Sequence, residues 1–164
     1  MSQVENFSLS HEGVDFIKKE MDRYEKKQSC LLPALYQIQK EKGWIPPEAV
    51  PWLSEITSIP KAHIYEILMF YTLFNKKPVG SFHIQVCCNV SCALKGSREL
   101  LDQLCNFFNV KEDQMSENGK FTISKVECLG ACDEAPVMQV NDEYFGKLEG
   151  DKALQFLKNK MDLK

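Results

Sequence analysis

The first half of the chain carries apolar residues at helical spacing. They recur every three or four residues in four segments, which are residues 8–24, residues 31–43, the segment opened by Pro46-Pro47 and the segment opened by Pro60. Proline is well tolerated at a helix start, because its missing N–H would have no partner there. The pattern predicts four amphipathic helices, packed as a small N-terminal helical bundle.

The pattern changes after NKKPVG (75–80), a polar turn that contains proline and glycine. Short runs of strand character and two further helical segments follow. In order they are strand 81–86, helix 94–108, strand 121–126, a hairpin of 136–140 and 143–148 around Asn141-Asp142, and helix 151–161 with Leu154, Leu157 and Met161 inward. We expect an α+β (or α/β) chain, with a helical domain over 1–76 and a β-α-β-β-β-α domain over 77–164.

Cysteines cluster where the first two predicted strands end. Cys87, Cys88 and Cys92 follow one strand, and Cys128 and Cys132 follow the other. A β-α-β unit makes two parallel strands, so their carboxyl ends share one edge of the sheet. This is the edge at which open α/β sheets generally bind ligands. The sequence therefore predicts that two cysteine pairs meet at one place.

The spacing of these cysteines favours one cofactor over others. Four-thiolate zinc sites usually use C-x2-C, whereas C-x4-C and C-x3-C suit a larger group such as a [2Fe–2S] cluster, in which each iron takes two thiolates. A zinc site and a thiol–disulfide pair remain alternatives, although the absence of C-x-x-C disfavours a dithiol oxidoreductase. Neighbouring strand residues point to opposite sides, so Cys87 and Cys88 are not expected to bind the same iron. The spacing of the cysteines does not show which of the two is the ligand.

The rest of the sequence indicates which kinds of protein and which cellular compartment are compatible with the chain. A net charge of −3, with lysines grouped only in pairs, argues against nucleic acid as a partner. The segment MSQVENFSLS lacks the features of a signal peptide, and no apolar run is long enough to span a membrane. We expect a cytoplasmic protein, in which clustered cysteines bind metal or perform redox chemistry. Cys30 and Cys105 fall on apolar helix faces and are expected to pack there.

Two segments carry a family resemblance. VCCNVSCALKG (86–96) and VECLGACDEAPVMQVND (126–142) resemble the thioredoxin-like [2Fe–2S] ferredoxin subunit of NADH–quinone oxidoreductase, respiratory complex I. GWIPPEAV (43–50) and FYTLFNKKPVG (70–80) are similar to that family's N-terminal helical domain and its junction. The similarity extends from roughly residue 12 to residue 160.

The resemblance implies a thioredoxin-like fold for the second domain and assigns the ligands. The family's motif falls on Cys87, Cys92, Cys128 and Cys132, which would bind one [2Fe–2S] cluster. Cys88 stands where the family commonly has threonine, so it is the additional cysteine. The chain itself would be an electron carrier without catalytic acid or base residues, although the complex to which it would belong is an oxidoreductase.

The resemblance also implies partners and a location. The cluster would exchange electrons with FMN on an NADH-binding flavoprotein subunit, in a complex peripheral to the inner face of the membrane. The alternatives are the equivalent subunit of an NAD-linked hydrogenase or formate dehydrogenase and, with less support, a zinc-binding interaction module.

Overall fold

The computed structural model describes residues 7–148 and 152–160. The chain divides into two compact units, with the boundary between Pro78 and Val79. The domain boundary predicted after residue 76 stays a prediction. The start of the N-terminal segment and Met161 lie outside the described residues. Within the described ranges, no helix has the length and apolar character needed to cross a membrane.

The first unit contains an α-helix in each segment for which one is predicted. These are α1 (His11–Arg23), α2 (Leu31–Lys42), α3 (Ala49–Thr57) and α4 (Lys61–Phe70). The Ser10 hydroxyl caps α1 by accepting the Gly13 N–H at 3.0 Å, and Gly43 ends α2 at a φ of 81°. All four helices contribute to one apolar core. Their arrangement as a bundle stays a prediction.

The second unit holds a four-stranded sheet in the order β2-β1-β3-β4. Its elements are β1 (Phe82–Cys87), α5 (Val90–Leu94), α6 (Ser97–Phe108), β2 (Phe121–Val126), β3 (Met138–Val140), β4 (Glu143–Phe145) and α7 (Lys152–Lys160). Strands β1 and β2 are parallel, whereas β3 is antiparallel to both β1 and β4. The predicted succession of strands along the chain is confirmed, as is the parallel pairing of the first two strands, which brings the cysteine loops to one edge.

The helical region between β1 and β2 differs from the prediction. One helix over 94–108 is expected, but the structure has the short α5 and the longer α6 instead. Gly96 separates them with a φ of 82°, a left-handed conformation that an α-helix cannot accommodate. Cys92 therefore lies within a helical turn and not in an open loop.

A packed core fixes the strand ends that carry the cysteines. Ile84 and Ile123, from β1 and β2, are fully buried with Leu104 of α6 and Leu157 of α7. Closely packed interiors resist displacement. The carboxyl ends of β1 and β2 are thus held in register, with Cys87 opposite Val126.

Candidate metal centre

The first cysteine pair lies in a small apolar cluster at the end of β1. Cys87 and Cys92 are 3% and 2% exposed, and both pack with Val137. The Cys87 N–H donates to the Val137 carbonyl at 3.1 Å, and the Val137 N–H donates towards the Cys92 thiol. The backbone of Val137, just before β3, thus contacts both cysteines.

The second cysteine pair is exposed. The Sγ atoms of Cys128 and Cys132 lie 3.8 Å apart, at the loop that follows β2. Gly130 turns this loop with a φ of 78°, and its N–H donates to the Cys128 Sγ at 3.3 Å. A donor aimed at sulfur stabilises a thiolate, so the loop is suited to hold an anionic ligand.

The two pairs influence each other electrostatically. Burial and the neighbouring Cys87 thiol raise the pKa of Cys92 to about 11, and the charge of Cys132 also contributes. The pKa of Cys132 is raised first by its contact with Cys128 and, to a smaller extent, by the charge of Cys87. Each pair therefore lies close enough to the other to oppose its ionisation.

The donor set suits a cationic group that spans both pairs. Four mutually repelling thiolates become favourable only when positive charge lies between them. In residues 7–148 and 152–160, no three His, Cys, Asp or Glu side chains are grouped around a single metal position. Two separate thiol pairs match a [2Fe–2S] cluster, in which each iron takes two cysteine ligands.

The remaining cysteines have different surroundings. Cys88 packs against the main core of the second unit, on the side opposite Cys87. Burial raises its pKa, and the nearby Ser97 hydroxyl opposes that shift. Cys30 lies in the core of the first unit and Cys105 against the core of the second, in agreement with the expected packing role.

An open cleft adjoins Cys132 of the exposed pair. Its volume is about 570 Å³, and its lining residues are Ser91, Leu94, Lys95, Cys132, Asp133, Ala135, Lys147 and Lys152. Lys147 forms an ion pair of 2.9 Å with Glu134, and it also donates its backbone N–H to the Glu134 carbonyl. Both positively and negatively charged side chains thus lie near Cys132.

Sequence reasoning missed one contact between the cysteine loops. The Asn89 Nδ2 donates to the Glu127 Oε2 at 3.0 Å, which joins the residue two positions after Cys87 to the residue before Cys128. The sequence offers a weak signal for it, since both residues are polar and directly flank the predicted ligands.

The chain matches the family model described as thioredoxin-like [2Fe-2S] ferredoxin over residues 17–161. It is 44% identical over 127 residues to an NADH-quinone oxidoreductase subunit of Rhizobium meliloti (strain 1021), covering 77% of this chain and 76% of that protein. It is 35% identical over 154 residues to an NADH-quinone oxidoreductase subunit of Rickettsia bellii (strain RML369-C), covering 92% of each.

Among solved structures, the fold is similar to a chain of an NAD+-reducing [NiFe]-hydrogenase in the H2-reduced state. The TM-score is 0.67 at 23% identity, over 82% of this chain and 22% of the hydrogenase chain. The chain thus spans about a fifth of that hydrogenase chain, and the likeness concerns the fold alone.

Proposed function

The chain belongs to the thioredoxin-like [2Fe-2S] ferredoxin family, and from that premise we propose that it is the [2Fe–2S] electron-transfer subunit of an NADH–quinone oxidoreductase. The relatives named as subunits of that enzyme align over at least three quarters of their length at 35–44% identity. When bound, the cluster supplies one-electron chemistry, and the protein sets its environment and position.

We assign the four ligands to Cys87, Cys92, Cys128 and Cys132. The observation that carries this assignment is that Leu129 and Ala131, which lie between Cys128 and Cys132, pack against the cluster formed by Cys87, Cys92 and Val137. The mutual effect of the two pairs on their pKa values supports it. The backbone N–H groups of Gly130 and Val137 support the assignment by donating towards two of the sulfurs.

The unequal exposure of the two pairs suggests how electrons reach the site. Cys87 and Cys92 are buried, so the apolar cluster around Val137 excludes water from their side. Cys128 and Cys132 are exposed, so a redox partner can approach only their side closely. We propose that this partner is the FMN- and NADH-binding flavoprotein subunit of the same complex, located at the inner face of the membrane.

Metal analysis of the full-length protein tests this function. We expect anaerobically purified or reconstituted protein to be reddish brown, with about two irons and two acid-labile sulfides per chain. Reduction should bleach the visible bands and produce a paramagnetic signal. A colourless protein that contains zinc would instead identify the interaction module.

The equivalent role in an NAD-linked hydrogenase is the second candidate. The solved hydrogenase chain shares the fold at 23% identity, which carries less weight than the named relatives. Affinity purification from the native organism distinguishes the two, because co-purification with a hydrogenase chain would contradict the assignment to NADH–quinone oxidoreductase.

A further inference from the structure

We propose that Asn89 and Glu127 form a clasp between the two cysteine loops, which retains the cluster and lowers its reduction potential. The proposal rests on the ligand assignment above. The Asn89 Nδ2 lies 3.0 Å from the Glu127 Oε2, although the two residues are 38 positions apart. Both act as positioning residues, since neither is assigned as a ligand.

Asn89 is firmly attached to the helix that carries Cys92. Its Oδ1 accepts the Val90 N–H at 2.8 Å, and its carbonyl accepts the Ala93 N–H at 2.8 Å. Because the amide oxygen is occupied at Val90, the amide nitrogen is the group directed to Glu127. A displacement of the Asn89 side chain would therefore also displace α5 and Cys92.

Glu127 is attached on the other side of the site. It directly follows β2, whose last residue, Val126, accepts the Cys88 N–H at 3.1 Å. It also directly precedes Cys128 in the chain. The clasp thus joins the rigid end of β2 to α5 and limits the separation between the buried and exposed thiol pairs.

The Glu127 carboxylate also places negative charge beside a ligand. Adding an electron to the cluster increases its negative charge, so a fixed carboxylate nearby disfavours reduction and lowers the potential. Glu127→Gln removes this charge and leaves an oxygen that can accept from Asn89. The effect of the Glu127 charge can therefore be measured separately from the effect of its hydrogen bond with Asn89.

The experiment compares full-length reconstituted variants by two measurements. The first is the midpoint potential from a redox titration followed by electron paramagnetic resonance, and the second is the rate of cluster loss to an iron chelator. Glu127→Gln should shift the potential to more positive values while the rate of loss stays near that of the wild type. Glu127→Ala should shift the potential and also release the cluster about three- to tenfold faster, because a hydrogen bond to a charged group is lost.

Two further variants make the test specific. Glu117→Gln removes the same charge beyond the opposite end of β2, about 20 Å away at 3.3 Å per residue, where salt screens its effect. Asn89→Ala combined with Glu127→Ala should release the cluster no faster than the faster single variant, since both remove one contact. Circular dichroism verifies that each variant is folded.

The outcomes separate this proposal from the proposed function. If the wild type binds no iron and sulfide, both fail. If the wild type holds a cluster and Glu127→Ala releases it at the wild-type rate, the clasp is wrong. If Glu127→Gln shifts the reduction potential no more than Glu117→Gln does, the proposed influence of the Glu127 charge on the potential is wrong, whereas the ligand assignment stands.

Discussion

Cys87 and Cys88 are adjacent at the end of β1, yet their side chains enter different parts of the second unit. Cys87 packs with Cys92 and Val137, whereas Cys88 packs against the core that includes α6. Successive side chains of a strand point to opposite faces of the sheet. Only the Cys87 thiol therefore lies on the side of the candidate metal centre.

The first prediction concerns this pair. We expect Cys88→Ser to retain the iron and sulfide content of the wild type, because Cys88 packs in a different apolar cluster from Cys87 and Cys92. Cys87→Ala should lose most of the visible absorbance, since alanine provides no ligand atom for iron. Loss of the cluster from Cys88→Ser, with retention in Cys87→Ala, would reverse the ligand assignment.

The parallel strand pair was predictable because its physical cause is visible in the sequence. Residues 81–86 and 121–126 have strand periodicity, and a helical segment of sufficient length connects them. A connection of this kind lets the second strand run parallel to the first, so the carboxyl ends of both strands lie at one edge of the sheet. The convergence of Cys87 and Cys128 follows from this topology alone.

Details of the loops were less predictable. Helix α5 has five residues, too few to give a periodic signal, and its separation from α6 depends on the backbone conformation at Gly96. The contact between Asn89 and Glu127 depends on the path of both loops in space. The spacing to Cys92 likewise does not show whether Cys87 or Cys88 is the ligand, because a difference of one residue between two cysteines is not diagnostic of a metal site.

The second prediction concerns a buried hydroxyl in the second unit. Ser97 is fully buried, and its Oγ has no partner in hydrogen-bond geometry among the described residues, although the Cys88 thiol is nearby. Burying a polar group without a hydrogen bond is costly. We expect Ser97→Ala to leave the free energy of unfolding unchanged or to raise it by up to about 1 kcal/mol in urea denaturation.

Thr122 provides the matched control for Ser97. Its Oγ1 accepts the Gly80 N–H at 2.8 Å, and the residue is also buried. Thr122→Val keeps the shape of the side chain but leaves this N–H without its acceptor. The free energy of unfolding should fall by about 1–3 kcal/mol. Equal losses from both variants would show that the Ser97 hydroxyl is paired in solution.

The third prediction concerns Gly146, which follows β4. A Cβ at this position would lie 2.8 Å from the backbone oxygen of Glu134, two residues after Cys132. The Gly146→Ala variant must therefore displace the loop that holds the exposed thiol pair. We expect its cluster to be released to a chelator several-fold faster than that of the wild type, at a temperature where both remain folded.

Gly80→Ala is the control for that effect. A Cβ at Gly80 would lie 2.6 Å from the Phe121 backbone, at the opposite end of the parallel strand pair. This variant should lower the melting temperature without a selective change in cluster release. If both variants released the cluster equally at matched stability, general destabilisation would explain the result for Gly146.

The fourth prediction is a pH dependence that arises from His83. Its Nε2 lies 3.0 Å from the Ser124 Oγ, and burial lowers its pKa, with the charge of Asp113 opposing the shift. Below about pH 6.5 the unfolded chain therefore binds a proton that the folded chain does not, so stability falls as pH falls. Hydrogen exchange of the β1 amides, corrected for intrinsic rates, should report this loss, at most about 1.4 kcal/mol per pH unit. His83→Gln should reduce it, whereas His63→Gln, an exposed control, should not.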